Sequence, residues 1–193
     1  MKRLFDFIAS LLGLIILSPI FIIIALFVCF GSKGGVFFKQ IRVGKGDKDF
    51  KVYKFRSMII DADKDGLLSI GRDGRDPRVT KIGYILRRYK LDELPQLINV
   101  LKGEMSLVGP RPEVRKYVDL YNNEQKEILK YRPGITDIAS ISFRNENDLL
   151  AQSSNPEQYY IEEIMPQKIA LSLEYIKTRT FIKDIKLILK TIF

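Results

Sequence analysis

Two adjacent carboxylates, Asp92 and Glu93, stand in the run Leu91-Asp92-Glu93-Leu94-Pro95-Gln96-Leu97, and a Pro110-Arg111-Pro112 element follows a Lys102-Gly103-Glu104 turn. Proline is favoured in the first turn of a helix, where backbone N–H groups point outward, so the acidic pair is expected at a helix N-terminus. Such a position holds phosphate, metal or both, and an Asp-Glu pair at a helix start also serves as an ordinary cap. The chain has no histidine, which excludes a histidine triad, an imidazole base and a histidine-ligated metal. Acid–base and nucleophilic work falls to carboxylates, Lys, Tyr, Ser or the one cysteine.

A net charge of +9 over 193 residues calls for an anionic partner, which is nucleic acid, a phospholipid surface or a phosphorylated substrate. The length suits one compact domain plus an anchor, with residues 1–30 as anchor and 31–193 as a cytoplasmic domain on the membrane interface. Leu4 to Phe30 is nearly unbroken hydrophobe; as a straight helix it would reach roughly 40 Å, beyond a hydrocarbon core of ~30 Å. A soluble nucleic-acid binder has no use for this segment, so nucleic acid is set aside as a partner. The segment is too long for a signal-peptide core, no A-x-A-like site follows, and Leu26-Phe27-Val28-Cys29 lacks the small residue that precedes a lipidated cysteine. It is therefore expected to be retained as an anchor. Ser18 and Pro19 stand at its centre, where the proline removes one backbone bond and bends the helix. Basic residues flank both ends, Lys2 and Arg3 on one side and Lys33, Lys39 and Arg42 on the other. Charge then leaves two topologies open, a kinked spanning helix and a re-entrant helix with both ends cytoplasmic. The re-entrant form is the expectation carried forward. Cys29 has no disulfide partner, which implies a reducing compartment, and it reads as a small buried hydrophobe.

Beyond the anchor, Val36 to Val43 and Phe50 to Met58 read as two strands of a hairpin around Gly44 to Asp49, the second carrying Lys54, Arg56 and Ser57. Asp61 to Pro77, with Gly66, Gly71 and Gly74, reads as a mobile loop. Helical patterns cover Lys81 to Tyr89, Pro95 to Leu101, Glu113 to Lys130 and Tyr160 to Lys177. The last stretch, Thr180 to Phe193, puts Phe181, Ile182, Ile185, Ile188, Leu189 and Ile192 on one face with Lys183, Lys186 and Lys190 off it. That pattern suits a helix lying in a membrane interface and equally a core-packing helix with a solvated basic face.

Five blocks in order carry a resemblance: Lys54-Phe55-Arg56-Ser57-Met58, Asp76-Pro77-Arg78-Val79-Thr80-Lys81-Ile82-Gly83, the run around Asp92, Asn99 through Pro112, and Arg132-Pro133-Gly134-Ile135-Thr136. With the Phe5-Asp6 start and the Ser18-Pro19 break, residues 1 to about 136 resemble the bacterial sugar transferases called monotopic phosphoglycosyl transferases. The short length resembles the small class of that family, a catalytic core without added domains. The resemblance implies transfer of a phosphosugar from a UDP-sugar to a polyprenyl phosphate, with release of UMP and with magnesium, at the cytoplasmic face of the bacterial inner membrane. The product starts a glycoconjugate such as O-antigen, capsule or a protein glycan, which downstream glycosyltransferases extend. The expected fold is α+β and mostly helical, monotopic, with a re-entrant helix, a small hairpin and amphipathic helices that seat the site at the membrane interface.

On this analogy Asp92 is the nucleophile that carries the covalent phosphosugar, and Glu93 assists with magnesium or with protons. A helix N-terminus would hold Asp92 ionised. Magnesium takes one or two carboxylates plus substrate phosphates, so Asp92 and Glu93 suffice. Arg111, between two residues of fixed φ, is presented to a phosphate by a stiff segment, although a Pro-Arg-Pro also serves as a turn with a surface arginine. One of Arg87 and Arg88 reaches the same anion, and Lys54 and Arg56 join it as expected substrate contacts. Arg132 is either a loop-stabilising residue or a substrate ligand. The family pattern lapses after Thr136, where Arg144 is expected to keep a place near the nucleotide. Asn147 to Gln167 matches no pattern, and either sets sugar specificity or is structural. Two rival functions remain, another lipid-phosphate transferase, which would use a different carboxylate motif on spanning helices, and a non-catalytic basic scaffold, which needs neither the acidic pair nor Arg111.

Overall fold

The computed structural model describes residues 2–62, 66–71 and 76–192. The expected loop Asp61 to Pro77 falls in part on residues 63–65 and 72–75, Gly74 among them, which lie outside the described residues.

The apolar N-terminus folds as two helices, α1 (Lys2–Ile16) and α2 (Ser18–Gly31), bent by 62° at Leu17. Pro19 has no N–H to give the carbonyl of Ile15, and the Ser18 hydroxyl donates to that oxygen instead at 2.8 Å. The bend therefore leaves no stranded carbonyl at Ile15. Among the described residues no single helix is long and apolar enough to cross a membrane; the bent pair together meets that test by length and composition. Ile22, Ile23, Leu26, Phe27 and Phe30 of α2 are exposed, while Ile24 and Val28 pack on Phe55 and Leu86. Cys29 is exposed too, contrary to the expectation of a buried small residue, because it lies on the outward face of α2 next to the buried Val28.

The hairpin forms as expected, β1 (Phe37–Val43) antiparallel to β2 (Asp49–Phe55), with Phe38 opposite Lys54. β2 stops at Phe55, short of Met58. The Ser57 carbonyl turns away to accept the Thr80 N–H at 3.0 Å, and α3 (Lys81–Arg88) packs against it so closely that a Cβ on Gly83 would lie 1.9 Å from that oxygen. Only glycine fits there. Arg78 organises the preceding segment, reaching Asp76 at 2.6 Å and the carbonyls of Ala62, Gly66 and Leu68.

A 3₁₀ turn (Leu91–Glu93) follows, then α4 (Gln96–Lys102), ended by Gly103 at φ 84°. α1 docks along α4. Arg3 donates to the last carbonyls of α4, Val100 at 2.5 Å and Leu101 at 2.8 Å, and the buried Asp6 accepts from Ser106 Oγ at 2.8 Å and from the Leu107 N–H at 3.3 Å. A second sheet, not expected from the sequence, pairs β3 (Ser106–Val108) in parallel with β4 (Gly134–Thr136).

The single helix expected over Glu113 to Lys130 is a short α5 (Arg115–Val118) and a separate 3₁₀ helix (Gln125–Lys130). Asn122 and Gln125 explain the break, because each side chain accepts the other's backbone N–H at 2.9 Å, a reciprocal cap that starts a new helix. α6 (Ile138–Ser142), α7 (Glu146–Gln152) and α8 (Pro156–Tyr159) lead into a π turn (Tyr160–Ile164) and α9 (Met165–Thr178). The π turn has a local cause in Pro166, which cannot donate, while Met165 N–H reaches back to the Tyr160 carbonyl. α10 (Phe181–Ile192) buries Asp184 and Leu187 against the body of the protein and leaves Phe181, Ile182 and Leu189 exposed. It thus packs on the body through one edge and leaves part of its expected apolar face uncovered. The fold is a mostly helical α+β assembly with two small sheets and a bent N-terminal helix pair.

Candidate active site

Asp92 and Glu93 sit next to each other in the 3₁₀ turn, both buried at 6 % and 9 % exposure. The turn is set by Lys90, a non-glycine residue in the left-handed region at φ 57°. The pair lies before α4, with Pro95 at its N-cap, so the expected seat in the first turn of an α-helix is corrected to a 3₁₀ turn that leads into one. The two carboxylates have opposite surroundings.

Glu93 is gripped. Its Oε1 accepts from Lys54 Nζ at 2.8 Å and from Arg111 Nη2 at 2.7 Å, while Oε2 has one long contact with Arg111 Nη1 at 3.4 Å. Burial by itself would raise its pKa, but the two cations and their hydrogen bonds outweigh it and hold the carboxyl well below the usual glutamate range. Burial also pulls the Lys54 ammonium down, with Glu93 opposing, and Glu93 pushes the Arg111 guanidinium up.

Asp92 is left free. None of the described residues donates a hydrogen bond to its carboxylate. Burial and then the neighbouring Glu93 charge push its pKa up, against the pull of Lys54, Arg87 and Lys90. The shift runs opposite to the one a helix N-terminus would give, because desolvation is the largest influence and the α-helix starts only at Gln96.

Each cation comes from a different element. Lys54 shares a strand face with the buried Val52, which packs on Val100 of α4. Asn99 locks that contact: its Oδ1 accepts from the Tyr53 N–H at 3.0 Å and its Nδ2 donates to the Lys51 carbonyl at 2.7 Å. Arg87 lies in the last turn of α3, and its Nη1 is enclosed with no hydrogen-bond partner among the described residues, whereas Arg88 is exposed and lies 5.9 Å from the Tyr89 ring. Arg111 is held in place by Asp137, whose Oδ2 accepts the Arg111 backbone N–H at 3.0 Å.

The structure thus gathers Lys54, Arg87, Asp92, Glu93 and Arg111, and draws three expected residues elsewhere. Arg132 is exposed and donates to the Gly103 carbonyl at 2.8 Å, at the far end of α4. Arg144 is exposed and bonds the Lys190 carbonyl of α10. Arg56 turns to the Gly35 carbonyl at 3.1 Å and lies 5.8 Å from the Phe38 ring. Asp137 was not singled out as a site residue in the sequence; its signal was that of an N-cap, since it also accepts the Ser140 N–H at 2.6 Å.

No group of three or more metal-ligating side chains gathers among the described residues. Two carboxylates suit magnesium nonetheless. Among the described residues Asp92 has no hydrogen bond to break and Glu93 Oε2 has only the 3.4 Å contact, so the pair could hold such an ion, which would take its remaining ligands from water and phosphate. Lys54, Arg87 and Lys90 act electrostatically on the Asp92 carboxylate, an arrangement with the charge pattern that attack on a charged phosphorus centre requires.

A model of the family described as "Bacterial sugar transferase" matches residues 1–193. The exopolysaccharide production protein ExoY of Rhizobium meliloti (strain 1021) is 34 % identical over 204 aligned positions, covering 99 % of this chain and 83 % of that protein. The UDP-glucose:undecaprenyl-phosphate glucose-1-phosphate transferase of Klebsiella pneumoniae is 41 % identical over 196 positions, and the enzyme of the same name from Escherichia coli (strain K12) is 40 % identical over 198. Each match covers 100 % of this chain but 39 % of the relative.

Proposed function

The chain belongs to the bacterial sugar transferase family, and we propose that it transfers a sugar-1-phosphate from a UDP-sugar to undecaprenyl phosphate, releasing UMP and initiating polysaccharide synthesis. The observation that carries the mechanism is the buried Asp92 carboxylate that no described residue hydrogen-bonds. An oxygen of Asp92 attacks the phosphorus that bears the sugar. The bond from that phosphorus to the bridging oxygen breaks, and UMP leaves with the bond's electron pair. An undecaprenyl phosphate oxygen then attacks the same phosphorus, freeing Asp92 and giving the sugar-pyrophosphate lipid.

The other residues divide the remaining work. Arg87 offers an enclosed, unpartnered nitrogen to a phosphate oxygen, and Arg111 turns its planar fork from Glu93 to the pyrophosphate. Lys54 stays on Glu93 and keeps that carboxylate ionised beside the nucleophile. Asp92 and Glu93 would hold magnesium, which when bound neutralises pyrophosphate charge as the anion approaches.

The bent α1 and α2 pair supports a monotopic seat with residues 1–30 as a re-entrant anchor and 31–193 as the catalytic domain on the cytoplasmic face of the inner membrane. α2 exposes its apolar face, and Phe181, Ile182 and Leu189 of α10 give a second exposed apolar edge for the interface. The polyprenyl chain reaches the site from the bilayer, the UDP-sugar from the cytoplasm, and glycosyltransferases extend the product.

The test is incubation of the detergent-solubilised protein with a panel of UDP-sugars and no lipid acceptor, read by intact mass and peptide mapping. A phosphosugar adduct on Asp92, discharged by undecaprenyl phosphate, is expected; an adduct on another residue, or near-normal UMP release by Asp92→Asn, overturns the assignment.

A further inference from the structure

Two carboxylates bracket the Pro110-Arg111-Pro112 element, the buried Asp137 on the Arg111 backbone and the half-buried Glu113 next to Pro112. Asp137 is 1 % exposed and accepts the Arg111 N–H with one oxygen and the Ser140 N–H with the other. Glu113, next to Pro112, accepts from Arg42 Nη1 at 2.8 Å, from the Tyr160 hydroxyl at 2.5 Å and from its own neighbour's N–H at Val114 at 2.8 Å. Arg42 Nη1 also reaches the Pro112 carbonyl at 3.2 Å, and the Glu113 carbonyl accepts the Val43 N–H at 2.8 Å. The hairpin, α6 and the π turn all converge on four residues of loop.

Neither proline has an N–H, so the Arg111 N–H is the sole backbone donor of the tripeptide. Asp137 takes that one donor with an oxygen of a buried side chain that also acts electrostatically on the Arg111 guanidinium. Any rotation of the peptide planes around Arg111 must break this bond and strand a buried carboxylate. The side chain beyond Cβ is 34 % exposed and is held by its ion pair to Glu93, at 2.7 Å.

From this we infer that Asp137 and Glu113 are positioning residues for Arg111. They fix its backbone so that the guanidinium passes from Glu93 to the substrate pyrophosphate by side-chain rotation alone. The inference rests on the reading of Arg111 as a pyrophosphate ligand.

A double-mutant cycle tests it, with UDP as the pyrophosphate-bearing probe and calorimetry on the full-length protein in detergent with magnesium. Arg111→Ala should weaken UDP by about 10- to 100-fold, the range for hydrogen bonds to a charged group. Asp137→Asn keeps an oxygen to cap α6 but puts an amide where the Arg111 N–H needs an acceptor. It should weaken UDP about three- to tenfold through lost preorganisation, and by less than about twofold once Arg111 is already alanine. An equal loss in both backgrounds would mean that Asp137 acts independently of Arg111, and no loss in either would mean that it positions nothing; both overturn the inference. Wild-type UDP affinity in Arg111→Ala would remove the reading beneath it as well. If Asp137→Asn fails to fold by circular dichroism, Glu113→Gln enters the same cycle with the same expected coupling, and additivity there refutes the proposal.

Discussion

Glu93→Gln isolates the ion cluster at the centre of the site. In the wild type Lys54 and Arg111 converge on one carboxylate that is 11 % exposed, with the cations at 20 % and 34 %. Removing one partner of a buried pair costs about 3–5 kcal/mol, because the other charge remains desolvated. Two features reduce that figure here. Glutamine keeps one acceptor oxygen, and the partial exposure of Arg111 lets water screen it. The expected loss is about 2–4 kcal/mol, which for a chain of this size corresponds to a fall in Tm of roughly 4–16 °C. The pH dependence separates this cause from a loss of packing. The Glu93 carboxyl is held below its ordinary value in the folded state, so its stabilisation is fully present above the unfolded glutamate pKa of about 4.3 and is lost as pH falls through the lower folded value. Melting of wild type and Glu93→Gln in one detergent should give a constant gap from pH 7 to about pH 5. Below about pH 4 the gap should close. A fall in Tm under about 2 °C, or a gap of constant size down to pH 3, would refute the electrostatic account.

Four further outcomes follow from the same geometry. Asp92→Asn should abolish turnover and leave Tm unchanged or higher, since a neutral amide relieves a buried charge; a melting loss above about 3 °C, the size of a 1 kcal/mol change, would show Asp92 to be structural. Because burial raises the Asp92 pKa and the attacking form is the carboxylate, the acid limb of the single-turnover rate should stand above the ordinary aspartate value of about 3.9. Arg87→Gln, which removes one of the cations opposing that rise, should move the limb to higher pH, and a shift to lower pH would contradict it. Arg111→Lys keeps the charge and loses the fork, so kcat/KM should still fall by about tenfold, the price of one hydrogen bond to a charged group, and full activity would sink the bidentate role. Arg132→Ala, which loses only the bond to Gly103, should change UDP affinity less than about twofold, within the additivity error for independent sites; a larger loss would return Arg132 to the substrate.

The elements that were legible in the sequence are those whose cause is local. Pro19 bends α1 from α2, Gly46 at φ 72° and Asp47 at φ 61° turn the hairpin, and Thr80 caps α3 through the Gly83 N–H. β3 and β4 were missed because each has three residues, too few for a period of two to declare itself, and their partners lie some 28 positions apart, Ser106 against Gly134. The expected Glu113 to Lys130 helix failed where Asn122 and Gln125 offered the backbone a better bargain than continuing a helix. In the candidate site, the resemblance and the residue types named Asp92, Glu93, Lys54, Arg87 and Arg111 together with Arg132 and Arg144, since an arginine beside a proline or in a loop looks alike whether it binds an anion or a helix C-terminus. The carbonyls of Gly103 and Lys190, which Arg132 and Arg144 reach in the fold, could not be read from the chain because those contacts exist only once it has folded.

The division of labour between the two carboxylates follows from the turn that holds them. Successive residues of a 3₁₀ helix are about 120° apart around its axis, so Asp92 and Glu93, adjacent in sequence, point in different directions. One direction meets β2 and the Pro-Arg-Pro loop and supplies two hydrogen-bonded cations to Glu93. In the other, Lys54, Arg87 and Lys90 act on Asp92 electrostatically, and no described residue hydrogen-bonds its carboxylate. An α-helical start would have set the two side chains about 100° apart, but with four outward N–H groups ready to bond Asp92 and quench it. A tighter turn that starts at the left-handed Lys90 keeps those donors few. Two titratable groups one residue apart thus acquire pKa values displaced in opposite directions, Glu93 down and Asp92 up, which is the separation that the proposed pairing of an ionised anchor with a nucleophile requires.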